Sequence, residues 1–148
     1  MMPYPGRVLA IDYGSRRVGV AVSDPTRLIA QGVTTLRNDE NLLEGMRHLI
    51  REHDAVRVVV GMPYAPDGGK GAKALEIERF IKELEKVAGV PVDTWDESYS
   101  SADARQVFVE SGMRRRKRRE KKRVDQMAAR LMLQEYLDHH SDKPVPTD

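Results

Sequence analysis

Val8, Leu9, Ala10 and Ile11 follow one another without a polar break, and the run ends in a carboxylate, Asp12. Successive side chains of an extended chain point to opposite faces, so an unbroken apolar run needs apolar cover on both sides. That requirement restricts the chain to a layered architecture with a sheet inside. Burying an unpaired carboxylate beside such a run costs several kcal/mol, so Asp12 must have a partner or a task.

The elements that follow supply the layers. Val18–Ser23 reads as a second strand joined to the first through "YGSRR", a short connection with Gly14 that suggests an antiparallel hairpin. "DPTR" turns the chain into a third strand near Ala30–Arg37. Leu42, Leu43, Met46, Leu49 and Ile50 recur at helical spacing and predict a helix over about Asn41–Glu52. "VRVVVGM" (Val56–Met62), stopped by Pro63, reads as a buried parallel strand, and the Pro/Gly-rich stretch Pro63–Ala72 as a loop. Ile77, Phe80, Ile81, Leu84 and Val87 define a second helix. Pro91–Glu97 reads as a fifth strand, Ser101–Glu110 as a third helix and Val124–Leu137 as a fourth. The ending "HHSDKPVPTD" reads as a frayed polar tail, so the expectation is one domain over residues 1–140 and a tail over 141–148. The order βββ-α-β-α-β-α-α predicts an α/β fold: a mixed five-stranded sheet, opening as a three-strand antiparallel meander and continuing with parallel strands, with helices on both faces.

Charge is distributed unevenly. The run "RRRKRREKKR" (Arg114, Arg115, Arg116, Lys117, Arg118, Arg119, Glu120, Lys121, Lys122, Arg123) holds nine of the 25 basic residues and one of the 23 acids; the rest of the chain carries a net of −6. Nine positive charges in ten residues repel one another, which favours contact with a phosphate backbone over a merely solvated surface loop. The absence of cysteine excludes thiol catalysis, disulfides and iron–sulfur clusters, and fits a reducing compartment. With no apolar run of membrane-spanning length and no secretory pattern at the start, the expectation is a cytoplasmic protein without a membrane partner.

Three acids stand out by position. Asp12 closes the first strand, Glu97 closes the fifth beside Asp96, and Asp125 sits in the first turn of the last helix, heading a stripe of Ala128, Ala129, Met132 and Tyr136. Each has an ordinary explanation alone: Asp12 as a turn initiator, Asp125 as a helix-dipole acid, Glu97 as a lead into the next helix. If the three ends converge, they form an all-oxygen cluster suited to two Mg²⁺ or Mn²⁺ ions, the arrangement that hydrolyses phosphodiesters. Strand alternation allows only one of Asp96 and Glu97 to share a face with Asp12, and spacing does not say which. "DGGKGAK" fails the P-loop pattern, because Lys70 is followed by Gly71 rather than Ser or Thr; the functional reading of this stretch is a substrate-gating loop with Lys70 and Lys73 on phosphate. Trp95 and Phe80 read as core, and the four histidines lack metal-ligand spacing apart from the adjacent pair His139–His140.

Taken together, "AIDYGSRRVGVAVSD", "VVVGMP" followed by "DG", "DES" and "VDQMAARLML" resemble the YqgF/RuvX family of ribonuclease H-like proteins over about Arg7–Leu137. The resemblance implies the ribonuclease H-like fold, an acidic cluster binding divalent metal, and a role in maturing the 5′ end of the small-subunit ribosomal RNA precursor (pre-16S rRNA) in the cytoplasm. It implies Asp12, Glu97 and Asp125 as catalytic and metal-binding residues, and so selects Glu97 over Asp96. One departure is "DESYSS", where Ser98 stands in place of a common family arginine.

Three functions are compatible with these residues. The first is a metal-dependent nuclease acting on structured RNA, the second a Holliday junction resolvase cutting branched DNA as a homodimer, and the third a non-catalytic RNA-binding assembly factor. The sequence leaves monomer and homodimer open. An actin-like ATPase is excluded, since that fold needs two lobes and the chain supplies one.

Overall fold

The apolar run that opens the chain is paired along both edges and covered on both faces. The structure, a computed structural model, describes residues 4–63, 71–96 and 118–141, with side chains of the last segment described over 126–140. β1 (Arg7–Tyr13) pairs antiparallel with β2 (Arg17–Ser23), which pairs antiparallel with β3 (Ala30–Arg37). The turn between β1 and β2 requires glycine: a Cβ on Gly14 would lie 2.3 Å from the Arg17 carbonyl oxygen. α1 (Leu42–Glu52) leads to β4 (Ala55–Met62), which lies parallel to β1 on its other side. α2 (Ala72–Ala88) ends at Gly89, whose φ of 70° lies in the left-handed region that glycine adopts without strain. β5 (Val92–Asp96) then pairs parallel with β4. The sheet order is β3-β2-β1-β4-β5, the expected meander followed by parallel strands. α3 (Arg118–Ser141) is the last described element. The helix expected over Ser101–Glu110 lies outside the described residues, as do Glu97, Ser98 and residues 142–148. No helix among the described residues is long and apolar enough to cross a membrane.

The two faces of the sheet are packed differently. On one, Leu9, Ile11, Val18, Val20, Val58 and Val60 meet Met46, Ile50, Ile77, Phe80 and Leu84 of α1 and α2. Each large side chain buried there contributes about 1.5–3 kcal/mol. On the other face α3 lies against Val8, Ala10, Ala21 and Val59 through Ala129, Met132, Leu133, Tyr136 and Leu137. Here small residues predominate. Ala10, Ala21 and Gly32 occupy one row across β1, β2 and β3, and a Cβ on Gly32 would already touch Gln126 at 3.5 Å. That lets the helix lie close to the sheet.

Two expectations are corrected. Among the described residues the last helix already runs from Arg118, ahead of the expected Val124, so the described part of the basic run is helical. This agrees with the high helix propensity of Arg, Lys and Glu once the helix is anchored downstream. The helix also continues to Ser141, so His139 and His140 belong to it rather than to a frayed tail; both rings stack beside Trp95, with centroids 5.2 and 6.1 Å away.

Candidate active site

Alternation along β1 decides where Asp12 points. Leu9 and Ile11 pack towards α1 and α2, Val8 and Ala10 towards α3, so Asp12 shares the α3 face. It is 2% exposed. Its partner on β2 is Gly19, which is in turn opposite Thr35 on β3. One step beyond the Ile11–Val60 pair, Asp12 comes level with Gly61 on β4, and Gly61 is opposite Trp95 on β5. On the α3 face the row therefore reads Thr35, Gly19, Asp12, Gly61, Trp95. The carboxylate is thus flanked within the sheet by residues without side chains on both sides. The sequence analysis missed this row, because it depends on register between strands far apart in the chain.

The direction of α3 points its N-terminal half towards the carboxyl end of β1. Further along the helix, the Gln134 side chain accepts a hydrogen bond from Ala30 N–H at 2.9 Å and donates one to the Leu28 carbonyl at 2.9 Å, holding the start of β3. Gln126, two turns earlier in α3, lies over Gly32. Since β3 runs parallel to β1, α3 runs from the carboxyl end of β1 back towards its amino end. Asp125, the residue before Gln126, thus lies on the helix at its Asp12-proximal end, one turn before the fully buried Ala128 and Ala129.

β5 fixes the face on which Asp96 lies. Val92 packs towards α1 and α2, whereas Trp95 packs with α3, its ring edge-on to Tyr136 at 5.7 Å. Asp96 pairs with Met62, a residue of the α1–α2 core, and so lies on the face opposite Asp12. Phe80 is buried as expected, while Trp95 is half-buried and packed against the α3 cluster. Among the described residues no three acidic, histidine or cysteine side chains gather at a single point; Glu97 is not among them, and the side chain of Asp125 is not described.

The remaining candidates fall as follows. Arg114, Arg115, Arg116, Lys117 and Lys70 lie outside the described residues; Arg118, Arg119, Lys121, Lys122 and Arg123 form the first turns of α3. Lys73, in the first turn of α2, donates to the Ser15 hydroxyl at 3.0 Å and sits 5.1 Å from the centre of the Tyr13 ring. Tyr13 packs towards α1 and α2, so Lys73 belongs to the carboxyl end of the sheet but to the face away from Asp12.

Comparison with known proteins shows the fold and the family. The family profile described as RuvX, Holliday junction resolvase, matches residues 6–139. A protein of Syntrophus aciditrophicus named "Putative pre-16S rRNA nuclease" is 39% identical over 147 residues, covering 96% of this chain and 95% of its own. A protein of the same name from Oceanobacillus iheyensis is 40% identical over 136 residues, covering 89% of this chain and 98% of its own. Among solved structures, Thermus thermophilus RuvC in complex with a Holliday junction substrate superposes with a TM-score of 0.58 at 15% identity, covering 95% of this chain and 99% of its own. The fowlpox virus resolvase bound to Holliday junction DNA superposes with a TM-score of 0.55 at 13% identity, covering 90% and 98%. These two likenesses establish the ribonuclease H-like fold. With the profile match and the relatives near 40% identity, the chain belongs to the RuvX family and is a nuclease of that family.

Proposed function

We propose that the protein is a divalent-metal-dependent nuclease that hydrolyses phosphodiester bonds of structured RNA, acting in the cytoplasm on the 5′ end of pre-16S rRNA. The observation that carries this reading is Asp12: a nearly fully buried carboxylate at a strand end, flanked by Gly19 and the level position Gly61, on the face covered by α3. The donor set fits hard cations. Asp12, Glu97 and Asp125 offer only carboxylate oxygens, the ligands Mg²⁺ and Mn²⁺ prefer. Asp96 on the opposite face supports Glu97 as the acid that joins Asp12. The end of α3 on which Asp125 lies supports the third member. Two ions held by these residues would lower the pKa of an attacking water and stabilise the leaving oxygen.

The protein's own part is to fix the carboxylates on a sheet buried on both faces and to bring substrate to them. The basic run serves the second task. Arg114, Arg115, Arg116, Lys117, Arg118, Arg119, Lys121, Lys122 and Arg123 immediately precede Asp125, so phosphate contacts along the run deliver a strand towards the acidic site without reading its sequence. Lys70 and Lys73 would contact phosphate from the far side of the same sheet end.

The test is a cleavage panel with Mg²⁺ or Mn²⁺ using a structured RNA that spans a pre-16S 5′ end, unstructured single strands and a four-way DNA junction. Metal-dependent cleavage of the structured RNA is the expected result. Symmetric cutting of the junction alone would make the protein a resolvase, and binding without cleavage of any substrate would make it an assembly factor.

A further inference from the structure

The last turn of α3 carries an adjacent histidine pair, His139 and His140, to which the nuclease reading gives no task. Both side chains are exposed, yet neither ring stands alone. The His140 ring lies against Tyr136, with centroids 4.1 Å and planes 35° apart. The His139 ring lies 5.2 Å from that of Trp95, which Tyr136 meets edge-on. His140 Nδ1 donates to the Tyr136 carbonyl at 2.8 Å, which fixes that ring on the helix. Trp95 Nε1 is buried and meets no acceptor among the described residues, so the indole is held by packing. Four aromatic rings thus form one preset cluster, buried at Tyr136 and open at the two imidazoles. Trp95 also lies in the row of Asp12, two strands away on the same face. Its backbone is therefore roughly 10 Å across the sheet from that of Asp12.

From this arrangement we propose that His139 and His140, backed by Tyr136 and Trp95, form a stacking platform for an unpaired nucleobase of the substrate. Imidazole rings accept stacked bases, and structured RNA is read largely through bases splayed out of its loops and ends. A platform already held by ring contacts and by the His140 hydrogen bond loses little conformational freedom when a base arrives. The surroundings select a base over a phosphate. Asp138 is exposed beside the pair, Asp93 bonds the Tyr136 hydroxyl, and the last turn of α3 is the negative end of the helix dipole. A ring face needs no charge, so it works where a phosphate contact does not. The inference rests on the nuclease reading for its occupant and adds two binding residues to it.

Trp95 is the only tryptophan, so its fluorescence reports on the cluster directly. A short single-stranded RNA and an abasic oligonucleotide of the same length are titrated in EDTA, with affinity read from the anisotropy of a label on the strand. The RNA should change the Trp95 emission and bind about tenfold more tightly than the abasic strand, the order of effect that stacking one base on an aromatic ring provides. His139→Ala/His140→Ala should bind the two strands alike, and His139→Phe/His140→Phe should restore the preference for bases. The salt dependence of RNA binding should be the same in all three proteins, because no phosphate contact is removed. Equal affinity of wild type for the two strands would overturn the platform, as would an undiminished preference in the folded double alanine variant. A flattened salt slope in that variant would set the imidazoles on phosphate and overturn it too. If the double variant does not fold, His139→Ala alone decides the matter by the same comparison. All readings are taken without metal, so a failure of the nuclease reading appears separately, as no cleavage in Mg²⁺ or Mn²⁺.

Discussion

The two ends of the sheet use their polar groups differently. At the amino end of β1 and β4 polar groups are drawn into local bonds. The Ser23 hydroxyl accepts from Val8 N–H at 2.9 Å and donates to the Asp24 carbonyl at 2.9 Å. Asp24 accepts from the Thr26 hydroxyl and from the N–H groups of Thr26, Leu28 and Ile29. Burial alone would raise its carboxyl, but these bonds outweigh it and hold the pKa at about 2 instead of 3.8. Arg57 is paired with Asp93, and burial together with the Asp93 carboxylate pushes the Tyr136 hydroxyl above its ordinary value. At the carboxyl end a buried acid, Asp12, stands beside a glycine of β2. An end whose charges answer one another holds the fold together. The end that sets a buried acid beside glycine is where the proposed chemistry takes place.

Substitutions at the two ends should therefore separate stability from activity. The largest effect is expected at Glu97: Glu97→Gln should lower cleavage at least about a hundredfold, since metal-assisted charge stabilisation is worth several kcal/mol, while Asp96→Asn on the other face stays within a few-fold of wild type. Rates at saturating metal check this, and equal losses in both would remove the distinction between faces. Next comes the basic run. Replacing Arg115, Arg116, Arg118 and Arg119 with Ser should flatten the salt dependence of binding by up to about 3 units with little change in rate at saturating substrate. At the opposite end, Asp93→Ala should cost about 1 kcal/mol by chemical denaturation and leave cleavage intact, because it breaks a half-exposed ion pair and the hydrogen bond to Tyr136.

The smallest effect concerns pH. A carboxyl depressed in the folded state contributes stability above its unfolded pKa, and that stability is lost as pH falls through the folded value. For Asp24 the window runs from pH 3.8 down to about 2. Asp24→Asn should flatten the fall in thermal stability across that window and leave the neutral-pH cleavage rate unchanged.

How much of this was legible in the sequence differs by residue. The strands announced themselves through apolar runs: β1, β2 and β3 fall where "VLAI", "VGVAV" and the segment after "DPTR" place them. Local periodicity likewise gave α1. The start of the last helix was not legible, because a run of arginine and lysine has good helix propensity but no apolar stripe to mark it. Its end was missed because two adjacent histidines look like a tail until Trp95, distant in sequence, offers them a surface. At the site, Asp12 was visible as an acid closing an apolar strand. The glycines at its sides were not, since they become its neighbours only once β1, β2 and β4 are set in register.

The central claim is that the carboxylate of Asp12 serves a bound cation rather than the fold. Asp12→Asn keeps the shape and removes the charge, so melting temperature with and without Mn²⁺, read beside the cleavage rate, tests it most directly. A ligand that binds only the folded state raises its stability by RT ln(1 + [L]/Kd). Wild type should gain stability with Mn²⁺, and the variant should remain folded, lose that gain and cleave at least about a hundredfold more slowly. A folded Asp12→Asn protein that cleaves at the wild-type rate, or that is stabilised by Mn²⁺ as much as wild type, would contradict the account.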